Sequence, residues 1–274
     1  MSINIQYISD IHLEFYNYNK VVKLVNKIEP IAPILVLAGD IGIPISRNKK
    51  CKYKINRCYE YFLELIAKKF EKIFIIAGNH EYYNRFNVSI SEVNKIISGI
   101  CNKILNIVFL NNNYYDYNGF RFIGSTLWSE IDEKPQIILN DMTRIPNMTP
   151  EYYNELHYKS LELLDIILKE SMKISIPCII ITHHLHMIEL INIPNRKNDD
   201  EIMYEWFASD LTELIDDYNN IICVWIYGHT HYKSYKIHKN IKFVANPIGY
   251  PHEMTHQKYV KTVIITHDNP GNSH

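Results

Sequence analysis

No apolar run in this sequence of 274 residues reaches the ~20 residues of a bilayer span, so a membrane-spanning chain is not expected. Cysteine pairing is also missing. The five cysteines, Cys51, Cys58, Cys101, Cys178 and Cys223, are odd in number and form no C-x-x-C pair, which speaks against a disulfide framework. Cys178 and Cys223 sit inside apolar runs and read as small buried hydrophobes in a reducing cytosol. Charge of either sign is nearly balanced, at a formal net of -1. That excludes a general polyanion-binding surface but allows a local basic patch. Met1 to Ile8 shows no basic region followed by a long apolar one, so no secretory signal is expected, and the expected location is cytoplasmic. Internal repeats and low-complexity linkers are absent. Polar loops at Arg47–Lys52 and Pro194–Asp200 are too short to mark a boundary. With 47% apolar residues, enough for a full core, residues 1–274 read as a single domain.

The first part alternates strand and helix. Apolar runs at Ile3–Ile8, Ile34–Ala38 and Ile73–Ala77 read as strands. Helices are expected near Val21–Ile28, Tyr53–Phe70 and Val88–Ile100, the second with Tyr59, Phe62, Leu63 and Ile66 on one buried face. This βαβ pattern implies parallel pairing. The middle holds short strands at Ile107–Leu110, Tyr114–Tyr117 and Phe120–Gly124, with Asn118-Gly119 as a hairpin turn. A long helix follows, about Pro150 to Ser171, with Thr149 as N-cap and Pro150 at its first position. Then come strand Cys178–Ile181, a helix near Asp200–Tyr218 and strand Ile221–Tyr227. The tail returns to strands at Ser234–His238, Ile241–Ala245 and Tyr259–Thr266, with a turn at Lys239-Asn240. Runs on either side of Tyr114–Gly124 are expected to feed two different sheets.

Five short motifs stand where apolar runs stop. They are Asp10-x-His12, Gly39-Asp40, Gly78-Asn79-His80-Glu81, His183-His184 and Gly228-His229-Thr230-His231. Buried strands that deliver polar residues at their carboxyl ends place them where α/β sheets form ligand sites. Asp, Asn and His converging there can build a cage for metal ions. Imidazole with carboxylate suits zinc, iron and manganese, and the absence of thiolate argues against a structural zinc site. In Asp10-x-His12 and His229-x-His231, alternate residues on an extended backbone would face one side, unless the strand has already turned. Gly39, Gly78 and Gly228 precede the polar residues where the chain must turn sharply or approach closely.

Taken in order, the five motifs resemble the calcineurin-like metallophosphoesterase superfamily over Asp10 to Asn246. The resemblance implies a four-layer α/β/β/α sandwich of two mixed sheets, with a dimetal site at the carboxyl ends of the strands. It implies Asp10, His12 and His231 as ligands of one metal, Asn79, His183 and His229 as ligands of the other, and Asp40 as the bridging carboxylate. His80 resembles the non-ligand histidine that stabilises the phosphoryl group or protonates the leaving oxygen. Two divalent ions, manganese first and iron or zinc as alternatives, would activate a bridging hydroxide for in-line attack on a phosphomonoester or phosphodiester. The expected partner is a small phosphorylated substrate, with a nucleotide among the candidates. A nuclease or cyclic nucleotide phosphodiesterase is an alternative, with nucleic acid less favoured by the neutral charge. Another is a scaffold on the same fold, but such members usually lack a site histidine and this chain keeps them all. Ile123–Trp128, Asn246-Pro247 and Gly249-Tyr250-Pro251 resemble a bacterial-type subgroup. Many of its members have Arg where this chain has Ile248, so any substrate contact made by that Arg is missing here.

Other residues have a plainer expectation. His157, His238, His252, His256 and His267 read as surface or satisfied histidines. His183 is favoured over His184 as ligand because it directly follows the strand, and His186 is a further candidate for the site. The stretch Arg47, Lys49, Lys50, Lys52, Lys54, Arg57 reads as a solvated face, with binding of extra substrate phosphates as the functional alternative. Tyr82, Tyr83 and Arg85 either line the substrate mouth or pack under their loop. Asp141 and Arg144 lie in an irregular segment placed to fold over the site.

Overall fold

The computed structural model describes residues 2–48, 52–132, 139–187 and 206–253, together with the backbone of 262–266. Four strands run parallel in one sheet: β1 (Ser2–Ile8), β2 (Ile34–Ala38), β5 (Lys72–Ile76) and β6 (Ile107–Phe109). The second sheet takes β7 (Asn113–Tyr117), β8 (Phe120–Ser125), β9 (Cys178–Thr182), β10 (Ile222–Tyr227), β11 (Ser234–His238) and β12 (Ile241–Ala245), in the order β11-β12-β10-β9-β8-β7. The chain thus changes sheets after β6, as the sequence predicts. The two hairpin turns form where expected, with positive φ at Asn118 and Gly119 and at Lys239 and Asn240, as their tight twist requires.

Three apolar clusters separate four layers. The inner strands are buried on both faces, so their side chains divide by alternation. Ile34, Val36, Phe74 and Ile76 meet Phe122, Ile179, Ile181, Val224 and Ile226 between the sheets. Leu35, Leu37, Ile73 and Ile75 face outward against helices α1 (Tyr18–Lys27), α2 (Arg57–Ala67) and α3 (Ile90–Cys101). On the far side, Ile180, Trp225 and Phe243 pack against α5 (Pro150–Lys173) and α6 (Thr212–Tyr218). Thr149 caps α5 by accepting from the Tyr152 N–H at 3.2 Å.

Four expectations need correction. Tyr53–Ile55 is not helical; it is strand β4, paired antiparallel with β3 (Ile45–Arg47). Asn56 then caps α2 through the Cys58 N–H. Residues 206–211 are not helical either, and α6 begins only at Thr212; residues 200–205 of that expected helix lie outside the described residues. The last strand, β13 (Thr262–Thr266), does not extend the tail hairpin but crosses to pair antiparallel with β1 at the edge of the first sheet. Asp141 and Arg144 occupy a short helix, α4 (Asn140–Arg144), and not irregular chain. No helix among the described residues is long and apolar enough to cross a membrane.

Candidate metal centre

Adjacent strands β1, β2 and β5 of one sheet and β9 and β10 of the other end at the same rim. The loops leaving them carry Asp10, His12, Asp40, Asn79, His80, His183, His229 and His231. The loops are tied together beyond the strands. Asp10 N–H donates to the Gly39 carbonyl at 3.0 Å and His12 N–H to that of Asp40 at 3.0 Å. The Gly228 N–H donates to the His183 carbonyl at 3.2 Å, and the His229 N–H donates to the Asp10 carboxylate at 3.1 Å.

Asp10, His12, Asp40, His229 and His231 all have positive φ, between 51° and 73°. The expected two-residue alternation therefore does not aim these pairs. The chain has already turned, and left-handed residues present both side chains to one centre. Asp and His tolerate this region better than bulkier residues, but each still costs on the order of 1 kcal/mol, held by the loop hydrogen bonds above. Gly39 has φ 82°, and a Cβ there would lie 2.5 Å from His183 Nδ1. A Cβ on Gly78 would collide with the Asp40 carboxylate.

Three clusters of ligating atoms result: Asp10, His12 and His231; His12, Asp40 and His80; and Asp40, His183 and His229. Asp40, only 2% exposed, belongs to two of them. Its Oδ1 is 3.4 Å from His183 Nε2 and its Oδ2 is 4.0 Å from His12 Nε2. Burial opposes its charge, yet His183, His80 and His12 hold the carboxyl well below the usual range.

Hydrogen bonds on the outer side of each ligand fix what the inner side presents. Glu14 and Glu253 only accept, so His12 donates from Nδ1 at 3.2 Å and His231 from Nδ1 at 2.8 Å. Their Nε2 atoms then face each other at 3.0 Å, two lone pairs when both rings are neutral. His183 Nδ1 donates to the Ala38 carbonyl at 3.0 Å, which leaves its Nε2 facing the Asn79 oxygen at 3.2 Å. Asn79 turns that oxygen inward because its Nδ2 donates to Asp141 at 2.8 Å. The contact between the two neutral rings is repulsive by itself, and a cation held between them would relieve it; at His183 a cation would take the place of the Nε2 proton. The donor set therefore fits two metal ions. Burial, with His183 nearby, pushes His229 down to about 3, the neutral form that ligates. Burial works to lower His183 too, but Asp40 beside it pushes it up to about 10; a cation competes with that proton.

The other expectations sort by position. His184 is buried behind His229, ring centroids 4.1 Å apart, and bonds to the Tyr153 hydroxyl at 3.0 Å. His186 does not reach the site. It stacks on Trp225 at 4.0 Å and Phe243 at 4.8 Å inside the far core. Its apolar strand neighbours hold it there. Tyr82 is buried and packs on Trp128, whereas Tyr83 lines the cavity. His157 is a satisfied core histidine, bonded to the Leu127 carbonyl at 3.0 Å. His256 and His267 lie outside the described residues.

Four carboxylates support the centre; sequence reasoning did not mention Glu14 or Glu253 and named Glu81 only within its motif. Glu14 accepts from His12 and also from His80 Nδ1 at 3.0 Å. Glu253 accepts from His231 and from the Tyr250 N–H at 2.7 Å. Asp141 lines the cavity over the site, as expected, and is also a buried partner of Asn79. Glu81 accepts from the N–H groups of Asp40, Ile41, Gly42 and Gly78, between 2.7 and 3.1 Å, clamping the two loops that carry Asp40 and His80. Burial and Asp40 push it up to about 8. The only sequence signals were nearness, with Glu14 two residues past His12 and Glu81 next to His80.

The cavity over this rim has a volume of about 710 Å³, and Tyr83, Phe207, Tyr232 and Tyr250 supply its aromatic walls. The sequence model described as calcineurin-like phosphoesterase matches residues 3–233. The chain belongs to the calcineurin-like phosphoesterase family. Membership places it among metal-dependent phosphoesterases. A protein of Acanthamoeba polyphaga mimivirus, called Uncharacterized protein L509, is 30% identical over 91% of this chain and 92% of its own length. The fold is similar to that of the phosphopantetheinyl hydrolase from Mycobacterium tuberculosis, with a TM-score of 0.71, 16% identity and 95% of each chain covered. In this calcineurin-like phosphoesterase every motif residue read from the sequence stands at the shared rim.

Proposed function

We propose that this chain hydrolyses a small phosphomonoester or phosphodiester with two divalent metal ions, manganese being the first candidate. Asp10, His12 and His231 hold one ion, Asn79, His183 and His229 the other, and Asp40 stands between them. When bound, the ions supply positive charge to the phosphoryl oxygens and acidify the attacking water. The observation that carries this reading is the position of Asp40, buried and shared by two of the three clusters of ligating atoms.

His80 is the proton donor to the leaving oxygen in this reading. Glu14 holds its Nδ1, so Nε2 faces the cavity, 3.9 Å from Asp40 Oδ2 and 3.4 Å from the Tyr250 hydroxyl. Burial alone would lower its pKa, but Asp40 and Glu14 push it up to about 9, which keeps a proton available. Tyr250 packs its ring on His12 and His231, at 4.4 and 4.6 Å, and closes one side of the centre against water. The aromatic walls suit a leaving group with a flat apolar portion, such as a nucleoside. A reducing cytoplasmic setting is supported by the free thiols of Cys58, Cys101, Cys178 and Cys223. The mutual coverage with the mycobacterial fold supports one domain over the chain.

The test is a panel of phosphomonoesters, phosphodiesters and nucleotides assayed with added manganese and with chelator. Metal-dependent release of phosphate or alcohol from at least one of them is expected. Metal bound tightly without turnover of any ester would instead favour a scaffold.

A further inference from the structure

Beside the catalytic cavity lies a second cleft of about 720 Å³, lined by Arg47, Arg85 and Arg144 together with Tyr83, Phe86 and Thr143. No carboxylate lines it among the described residues. The three arginines are exposed, and none makes an ion pair among the described residues. They reach this place from three separate segments: β3, the loop after the Gly78–Glu81 motif, and α4. Three guanidinium groups turned to one unneutralised hollow repel each other unless an anion joins them.

The cleft adjoins the catalytic cavity. Tyr83 lines both. Its ring lies under the Arg144 guanidinium at 5.7 Å, and its hydroxyl donates to Asp141 at 2.5 Å. Helix α4 likewise serves both, with Asn140 and Asp141 on the catalytic side and Thr143 and Arg144 on the other. One helical turn, about 5 Å along the axis, separates Asp141 from Arg144. The catalytic cavity itself has Lys233 as its one Lys or Arg among the described lining residues, against Asp141 and Glu253 beyond Asp40. Its walls give little to a second phosphate; the neighbouring cleft gives three forked donors. The described part of the basic stretch does not act as a block, since Arg57 pairs with Glu60 at 3.2 Å and, of its described residues, only Arg47 lines the cleft.

We propose that the Arg47–Arg85–Arg144 cleft binds a second phosphate group of the substrate, so that the preferred ligands are small nucleotides carrying a phosphate beyond the one being cleaved. This rests on the hydrolase reading for the catalytic cavity, but the cleft can be tested without turnover. Adenosine 3′,5′-bisphosphate and adenosine 5′-monophosphate differ only in that second phosphate. With manganese, the wild-type protein is expected to favour the bisphosphate at least tenfold in kcat/KM, and the triple variant R47A/R85A/R144A to shrink that ratio to within twofold, through KM. The single charge reversal Arg85→Glu should shrink it in the same direction. A wild type with no preference, or a triple variant that keeps it, overturns the proposal. On metal-stripped protein, calorimetry with the bisphosphate should show at least tenfold weaker binding to the triple variant, and equal affinity overturns the proposal. If neither ester is hydrolysed yet this binding difference holds, the hydrolase reading fails and the anion cleft stands. An arginine-dependent gain on a single-stranded oligonucleotide, with none on the bisphosphate, overturns the small-nucleotide assignment.

Discussion

Glu14 touches the two histidines with the most different proposed tasks, one a ligand and one a proton donor. That predicts a separation between two variants. His80→Ala should keep the metal content and slow hydrolysis of an ester with a poor leaving group by about 10²–10⁴-fold; an aryl ester with a good leaving group should suffer less. Wild-type speed on the poor leaving group would remove His80 from the proton-donor role. Glu14→Gln should do what His80→Ala does not, weakening metal affinity by roughly 10–100-fold because His12 loses its orienting acceptor, as read by titration against a metal indicator. At this scale the sequence was most legible where chemistry dictates the residue type. That Asp10, His12, Asp40, Asn79, His183, His229 and His231 would gather at one rim was readable because each stands where an apolar run stops and few side chains can ligate a metal. The outer roles of Glu14, Glu253 and Asp141 were not, because an outer carboxylate can come from any nearby loop, and Glu253 arrives from a turn after β12. His186 shows the converse: a ligand-type residue near a motif, drawn into the core by Trp225 and Phe243.

Between residue and fold stand the loops, and here Glu81 is the central group. Its carboxylate gathers four backbone N–H groups from the loops after β2 and β5. Glu81→Gln replaces one accepting oxygen by an amide that points N–H at N–H. The expected cost is about 2 kcal/mol of unfolding free energy, measured in denaturant, together with lost metal affinity as Asp40 and His80 drift apart. Unchanged stability would mean that the loops hold each other without the clamp. Long elements were legible from periodicity; short ones were not. The pattern of Tyr59, Phe62, Leu63 and Ile66 located α2 but ran its start back into β4, a three-residue strand whose pairing with β3 leaves no periodic trace. The partner of β13 was also hidden, since an apolar alternation names a strand but not the sheet edge it joins.

The molecule as a whole carries buried neutral histidines whose titration sets its acid limit. Burial lowers His157 and holds His186 well below its ordinary range. Folded chain then binds fewer protons than unfolded chain, so stability is fully present above the unfolded pKa of about 6.5 and falls as pH drops through it. Thermal unfolding should move to lower temperature between pH 7 and pH 5. Neither ring nitrogen of His186 has a hydrogen-bond partner among the described residues. His186→Phe should therefore hold or raise stability at pH 7 and flatten the acid slope, and an unchanged slope would assign the acid limit elsewhere. The larger claim is the one proposed for the rim where two sheets meet: five strand ends gather there around Asp40, where a pair of cations would be held. Elemental analysis after manganese loading and removal of free metal tests that claim most directly. The expected result is two manganese ions per wild-type chain and at most one in Asp40→Asn. A wild-type chain that retains none, or an Asp40→Asn chain that retains both, would contradict it.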